Sequence, residues 1–343
     1  MPIQKNNNYW LNREKQLLIK AIEEEDKLEI LLKKAYKKAK KEIEKEIATL
    51  FMKYAKDNKL TYAEASKILT GKEFREWRMD IKGYIDAIKD SADDRLLIEL
   101  NTLASRSRIS ILEEKLYQVD KYINELYETS YKSTESFLTA SITDTYYQNI
   151  YSVHKYLSVG ASFSLVDDKL IREVLEARWL GSNYSERIWR NRDKLKIVVR
   201  DSITDMIIRG QGAREVAKEV AIKMDANLSN AMRLVRSEHS FVMNQASKHS
   251  YKELSVTKYQ YLATLDKRTS DICRSLDGQV FELKDAVAGL NYPPAHANCR
   301  STTVPYVDED KGTRVARDRE GKNIEVPADW NYKKWKSEFG VEH

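Results

Sequence analysis

The chain has 343 residues, enough for two or three domains that can each bury a core. With 42% hydrophobic and 33% charged residues and no long apolar run, it reads as a soluble, strongly helical protein without a membrane span. Its 59 basic against 53 acidic residues give a formal charge of +6, too mild and too interspersed to mark a dedicated duplex-binding protein.

The opening MPIQKNNNYWLNREK is polar and lacks the apolar core of a signal peptide, so the chain is expected to act in the compartment where it is made. Two cysteines in such a length agree with a reducing compartment. From Leu28 through Leu32, Ala35, Ala39, Ile43, Ile47, Leu50 and Tyr54, apolar residues recur every three or four positions, which predicts one long amphipathic helix. On it, KKAYKKAKK contributes Lys33, Lys34, Lys37, Lys38, Lys40 and Lys41, the nearest approach to a phosphate-binding stripe. Glu42, Glu44 and Glu46 follow at once, so an ordinary solvated face is the better-supported reading of the pattern.

Thr61 with Glu64 forms a capping-box pattern. A second helical stripe runs through Leu96, Leu100, Leu103, Leu112, Leu116, Val119, Ile123 and Leu126, and two such helices predict an elongated antiparallel bundle. Glycine, serines and paired aspartates at 157–168 place the first boundary. Beyond it, Gly181, Gly210 and Gly212 punctuate a second helical segment in which Asn183 or Ser185 is the expected N-cap. The stretches 213–224 and 228–249 read as two helices joined by a short turn, an ordinary packing unit rather than a DNA-reading one. After Lys252 the period changes: YQYLATL, DGQVF and RSTTVPYV are short, β-branched or aromatic, and read as strands. The expected fold is mainly α, with an elongated N-terminal helical domain at 1–165, a second helical segment at 166–255 and a smaller C-terminal α+β domain at 256–343.

The chemistry concentrates in NYPPAHANCR, where Pro293, Pro294, His296, Cys299 and Arg300 crowd together in a chain with only five prolines. Cys273, His296 and Cys299 are soft ligands suited to zinc, with Asp266, Asp271 or water completing a tetrahedral shell. The prolines would stiffen the backbone before His296 and lower the entropy lost on convergence. A metal-free packed corner and a disulfide fit the same residues, because the paired C-x-x-C spacing of a structural zinc site is missing. Arg236 and Glu238, in VRSEHS, offer a cation and an acid, but residues two apart on a helix do not face each other. His154, His239 and His249 read as packing or surface residues. Nucleophile-elbow, P-loop and HExxH patterns are absent.

TLDKRTSDICRSLDGQVF (264–281), followed by GLNYPPAHANCRSTT (289–303), resembles the signature of the phage Mu F-like minor head proteins, also called head morphogenesis proteins. VRSEHSFVMNQA (235–246) is similar to that family's Arg-Thr-Glu helix, with serine in place of threonine, and WLGSNYSERIW (179–189) resembles a stretch of minor head proteins from phages of Gram-positive bacteria. The resemblance implies a low-copy bacteriophage minor capsid protein inside the capsid. It would associate with the portal, the scaffolding and the major capsid proteins, assemble in the host cytoplasm, assist packaging and leave with the DNA. It also implies that Arg236, Glu238, Asp266, Arg268, Cys273, Asp277, Gly278, Pro293, Pro294, His296, Cys299 and Arg300 organise the C-terminal domain. Within that frame, Asp277-Gly278 is expected to make a turn and Arg300 to pair with a carboxylate such as Asp266. The helical lysines would meet packaged double-stranded DNA without reading sequence. The protein is expected not to be an enzyme. The rival is a virion-delivered enzyme, a nuclease or ADP-ribosyltransferase-like toxin, working through Glu238, Asp266 and His296.

Overall fold

The computed structural model of the chain describes residues 8–57, 109–157, 163–208, 211–306, 313–318, 322–327, 330 and 332–339. The capping box at Thr61 and Glu64 and the apolar repeat at Leu96, Leu100 and Leu103 lie outside them. Among the described residues five helices come first: α1 (Asn8–Asp57), α2 (Ile109–Leu157), α3 (Asp168–Glu176), α4 (Tyr184–Ile208) and α5 (Ala213–Glu253). A mixed region follows, made of β1 (Lys258–Leu262), α6 (Asp271–Leu276), β2 (Val280–Glu282), a 3-10 turn (Leu283–Asp285), β3 (Thr302–Pro305), β4 (Thr313–Arg317), β5 (Asn323–Pro327) and α7 (Tyr332–Phe339). The mainly α fold with a small α+β C-terminal part is therefore the observed one. Among the described residues, no helix is long and apolar enough to cross a membrane.

The helical stripes fold as their spacing dictates. Leu28, Leu32, Ala39, Ile43, Ile47 and Leu50 of α1 are buried, as are Leu112, Leu116, Val119, Ile123 and Leu126 of α2, because residues three and four apart fall on one helix face. Helix α4 opens on a reciprocal cap that resolves the choice at its start. The Asn183 side chain accepts the Glu186 amide at 2.9 Å, and the Glu186 carboxylate accepts the Asn183 amide at 3.3 Å.

The turn expected near residue 225 does not exist, since α5 runs unbroken from Ala213 to Glu253. The segment Asp225, Ala226, Asn227 contains neither glycine nor proline, so nothing in it forces the backbone out of the helix. Asn227 instead uses its side-chain oxygen to accept the hydroxyls of Tyr36 at 2.5 Å and Tyr127 at 2.8 Å.

The chain divides into two compact units. One comprises Ile30–Lys132 and Ile188–Ala231. The other gathers Met1–Glu29, Ser133–Arg187 and Met232–His343, and every motif residue of the C-terminal region belongs to it. In this second unit β1 is the central strand of an antiparallel sheet of order β2-β1-β3, with Tyr259 opposite both Phe281 and Pro305. Successive residues of β1 alternate, so that Tyr259 and Tyr261 are fully buried between half-buried neighbours. Tyr259 packs with Tyr251, Tyr292, Leu283 and Ala286, while Tyr261 packs with Ala263, Cys273, Ala295 and Cys299. The hairpin β4-β5 and α7 close a further small core of Leu265, Ala316, Val326 and Trp335.

Candidate functional site

The site is assembled around the end of β1 by two local devices. Asp277 and Gly278 make the expected turn after α6: Gly278 has φ +78°, open to glycine at little cost, and the Asp277 carboxylate accepts the Ala263 amide at 2.9 Å. Gly278 in turn donates its amide to the Tyr261 carbonyl at 2.9 Å, so the turn is latched onto the strand. Ser270 caps α6, accepting the Cys273 amide at 3.3 Å, and thereby fixes the first turn that carries Cys273.

The second device is the pair expected from sequence. Arg300 grips both oxygens of Asp266, one of them at 2.7 Å, and Asp266 also accepts the Arg268 amide at 2.8 Å. Burial pushes the Asp266 carboxyl up, but the hydrogen bonds and charge of Arg300, helped by Arg268, outweigh it and hold the group below the usual range. The Arg268 guanidinium is mostly exposed and stands 4.0 Å from the same carboxylate.

Between these devices three soft donors converge. The Cys273 sulfur lies 3.6 Å from the Cys299 sulfur and 3.3 Å from Nε2 of His296. The donor atoms of Cys273, His296 and Cys299 all lie within 4.8 Å of one another, a set that can hold a metal ion. Both cysteines are free thiols, each 3% exposed. The Tyr261 hydroxyl sits 3.4 Å from the Cys273 sulfur and 3.9 Å from that of Cys299. Nδ1 of His296 is 2.8 Å from the Ala297 carbonyl, which only accepts, so the ring proton sits on Nδ1 and the Nε2 lone pair faces the sulfurs. The Ser270 hydroxyl, 2.7 Å away, donates to that lone pair. The hydrogen bond from Cys273 is the main cause holding the Cys299 thiol low, and the same contact, with burial, pushes Cys273 up. Asp266 stands outside this donor set, committed to Arg300.

The helix motif divides its work between two partners. Glu238, 2% exposed, accepts the Trp179 indole N–H at 3.1 Å and is ion-paired with Arg187 of α4. Arg187 lies over the Trp179 ring at 4.8 Å and also donates to the Trp179 carbonyl, while that ring stacks on Phe241. Burial raises the Glu238 carboxyl, and Arg187 and Trp179 pull it only part of the way back. Ser237 faces the other way and accepts the Asn298 amide at 2.8 Å, tying α5 to the loop that carries His296 and Cys299. Arg236 pairs with Glu29 at 3.0 Å and is not the partner of Glu238. His239 is buried against Phe137 and hydrogen-bonded to Glu25, a packing role.

Sequence reasoning did not single out Trp179, Arg187, Ser237, Tyr261 or Ser270. The Trp-Leu-Gly turn before an N-cap was the available signal for the first two. In the other unit, Lys33, Lys34, Lys37, Lys38 and Lys41 are exposed, whereas Lys40 is half-buried and paired with Asp225 at 3.0 Å.

Buried motif residues tie α5 to the loop before β3 and to the turn at Trp179. Residues 197–304 match the family described as Phage Mu protein F like protein, the family whose signature the motif order resembles. Over 308 residues it is 24% identical to the minor head protein GP7 of Bacillus phage SPP1, covering 84% of this chain and 86% of that one. Over 269 residues it is 23% identical to the NAD(+)–arginine ADP-ribosyltransferase EFV of Enterococcus faecalis, covering 73% of this chain and 53% of that protein. The chain thus spans about half the length of that relative. No solved structure matches the chain.

Proposed function

We propose that this protein is a minor capsid protein of a phage head, present in few copies, associated with the portal inside the capsid and with scaffolding or major capsid proteins during assembly, and released with the DNA. The observation that carries this reading is the alignment with a minor head protein along most of both chains, 84% and 86%. The buried motif residues support a structural role, because Glu238 is committed to Arg187 and Trp179, and Asp266 to Arg300. Mass spectrometry of purified virions tests it. A few copies per particle, retained in heads and depleted from particles after DNA ejection, are expected. Absence of the protein from virions overturns the reading.

The lysines of α1 are assigned to packaged DNA. Lys40 is paired to Asp225, and Lys33, Lys34, Lys37, Lys38 and Lys41 are exposed. Roughly five phosphate contacts imply sequence-independent binding that weakens several hundredfold between about 50 and 200 mM salt. A gel-shift series with no binding at low salt removes the DNA role.

A second reading, an enzyme carried in the virion, is favoured by the similarity to the Enterococcus faecalis protein named for arginine ADP-ribosylation. Incubating the full chain with labelled NAD and bacterial extract separates the two. Label transferred to arginine brings the enzyme reading forward, and its absence leaves the head protein.

A further inference from the structure

We propose that Cys273, His296 and Cys299 form a zinc site that ties α6 to the loop before β3. Zinc held at about 2.3 Å from each sulfur and about 2.0 Å from nitrogen sets tetrahedral edges of about 3.8 Å between sulfurs and about 3.5 Å from sulfur to nitrogen. The observed separations are 3.6 Å between the sulfurs and 3.3 Å from the Cys273 sulfur to Nε2 of His296, and the third pair, Cys299 with His296, lies within 4.8 Å. The three donors therefore stand close to the corners of one coordination shell. They also stand far outside disulfide distance, which is about 2.05 Å.

The orientation of the histidine supports the same assignment. A ligating imidazole commonly donates its second N–H to a carbonyl or carboxylate, which fixes the tautomer and aims the free lone pair at the metal. His296 makes that bond through Ala297, and its Nε2 lone pair, which accepts the Ser270 hydroxyl at 2.7 Å, becomes a ligand when zinc displaces that hydroxyl. The Tyr261 hydroxyl over the two sulfurs is a donor suited to stabilising thiolates once the thiol protons have left to solvent.

Two other uses of the same residues fit less well. A nucleophilic cysteine needs access to substrate, and both sulfurs are 3% exposed. Asp266 is committed to its bidentate pairing with Arg300, and Asp271 is exposed and paired with Arg274, so the remaining corner falls to a small ligand such as water.

The test uses the full chain, purified without chelator and without added metal. The expected result is about one zinc per chain, with Cys299→Ser and His296→Ala each reducing it to background while helical circular dichroism is retained. Substituting cobalt(II) for zinc should give sulfur-to-metal charge-transfer absorption that Cys273→Ser abolishes. Because a variant can fail to fold, thiol titration of the unmodified chain provides a separate measurement. Both thiols should react slowly until a chelator is added, and then several-fold faster. Zinc near background together with no cobalt charge-transfer band, thiol reactivity indifferent to chelator, or an intact mass showing a Cys273–Cys299 disulfide in freshly purified protein would each overturn the site. None of these outcomes bears on the head-protein reading, which rests on the alignment.

Discussion

Two buried carboxylates in the same unit, each gripped by an arginine, end with opposite electrostatics. Asp266 accepts two guanidinium hydrogen bonds and a backbone amide, and its carboxyl is held below the usual range. Glu238 shares its arginine with the Trp179 carbonyl, receives an indole N–H on its other oxygen, and is raised. Desolvation is the largest cause at both sites. What differs is the donor set: Asp266 receives two guanidinium N–H groups and a backbone amide, with Arg268 and Arg317 within 4.0 Å, whereas Glu238 receives one guanidinium N–H and a neutral indole, and the Asp266 side chain is 10% exposed against 3% for Glu238. An arginine beside a buried acid therefore does not by itself fix the acid's ionisation. The count of donors set against burial does.

Breaking the arginine at each site should give unequal costs. Arg187→Ala leaves Glu238 buried without a cation and removes the group lying over Trp179, and a loss of about 3–5 kcal/mol in urea unfolding is expected. Arg300→Ala frees a carboxylate near solvent that keeps the Arg268 amide, with Arg317 3.9 Å away, so a smaller loss of about 1.5–3 kcal/mol is expected. Equal losses would show that exposure does not separate the two pairs.

The smallest effects are in pH dependence, where the signs oppose. The depressed Asp266 contributes stability that is present above its unfolded value of 3.8 and lost as pH falls through its lower folded value. The raised Glu238 contributes in the other sense, favouring the fold below 4.5 and losing that contribution as pH rises through its folded value. Asp266→Asn should flatten the acid limb of the stability profile, and Glu238→Gln should flatten a decline that begins near 4.5. Unfolding midpoints across that range, measured for both variants, would show no such crossing if the two carboxyls titrate alike.

Local devices were legible in the residues themselves. The stripe of Leu32, Ile43 and Ile47, the strand at Tyr259 and Tyr261 and the Asp277-Gly278 turn depend on neighbours a few positions apart, so spacing and turn chemistry sufficed, whereas the choice of Asn183 over Ser185 as cap came from the structure. The Asp266 and Arg300 pair, 34 residues apart, was anticipated because both stand in one ordered motif. The turn expected in α5 is replaced by continuous helix, and only packing showed Asn227 meeting two tyrosine hydroxyls.

Sequence alone thus determined the mainly α character, the strand-bearing C-terminal region and the set of soft donors. Tertiary structure decided which partners those residues have. It brought Glu238 to Arg187, 51 residues earlier, rather than to Arg236 two positions away, and it placed Cys273 against His296 across 23 residues while leaving Asp266 outside the donor set. The physical reason is range. Helical and strand periods are set by backbone geometry within a few residues, whereas a buried charge or thiol takes its partner from whatever the folded chain carries past it, which no local spacing records.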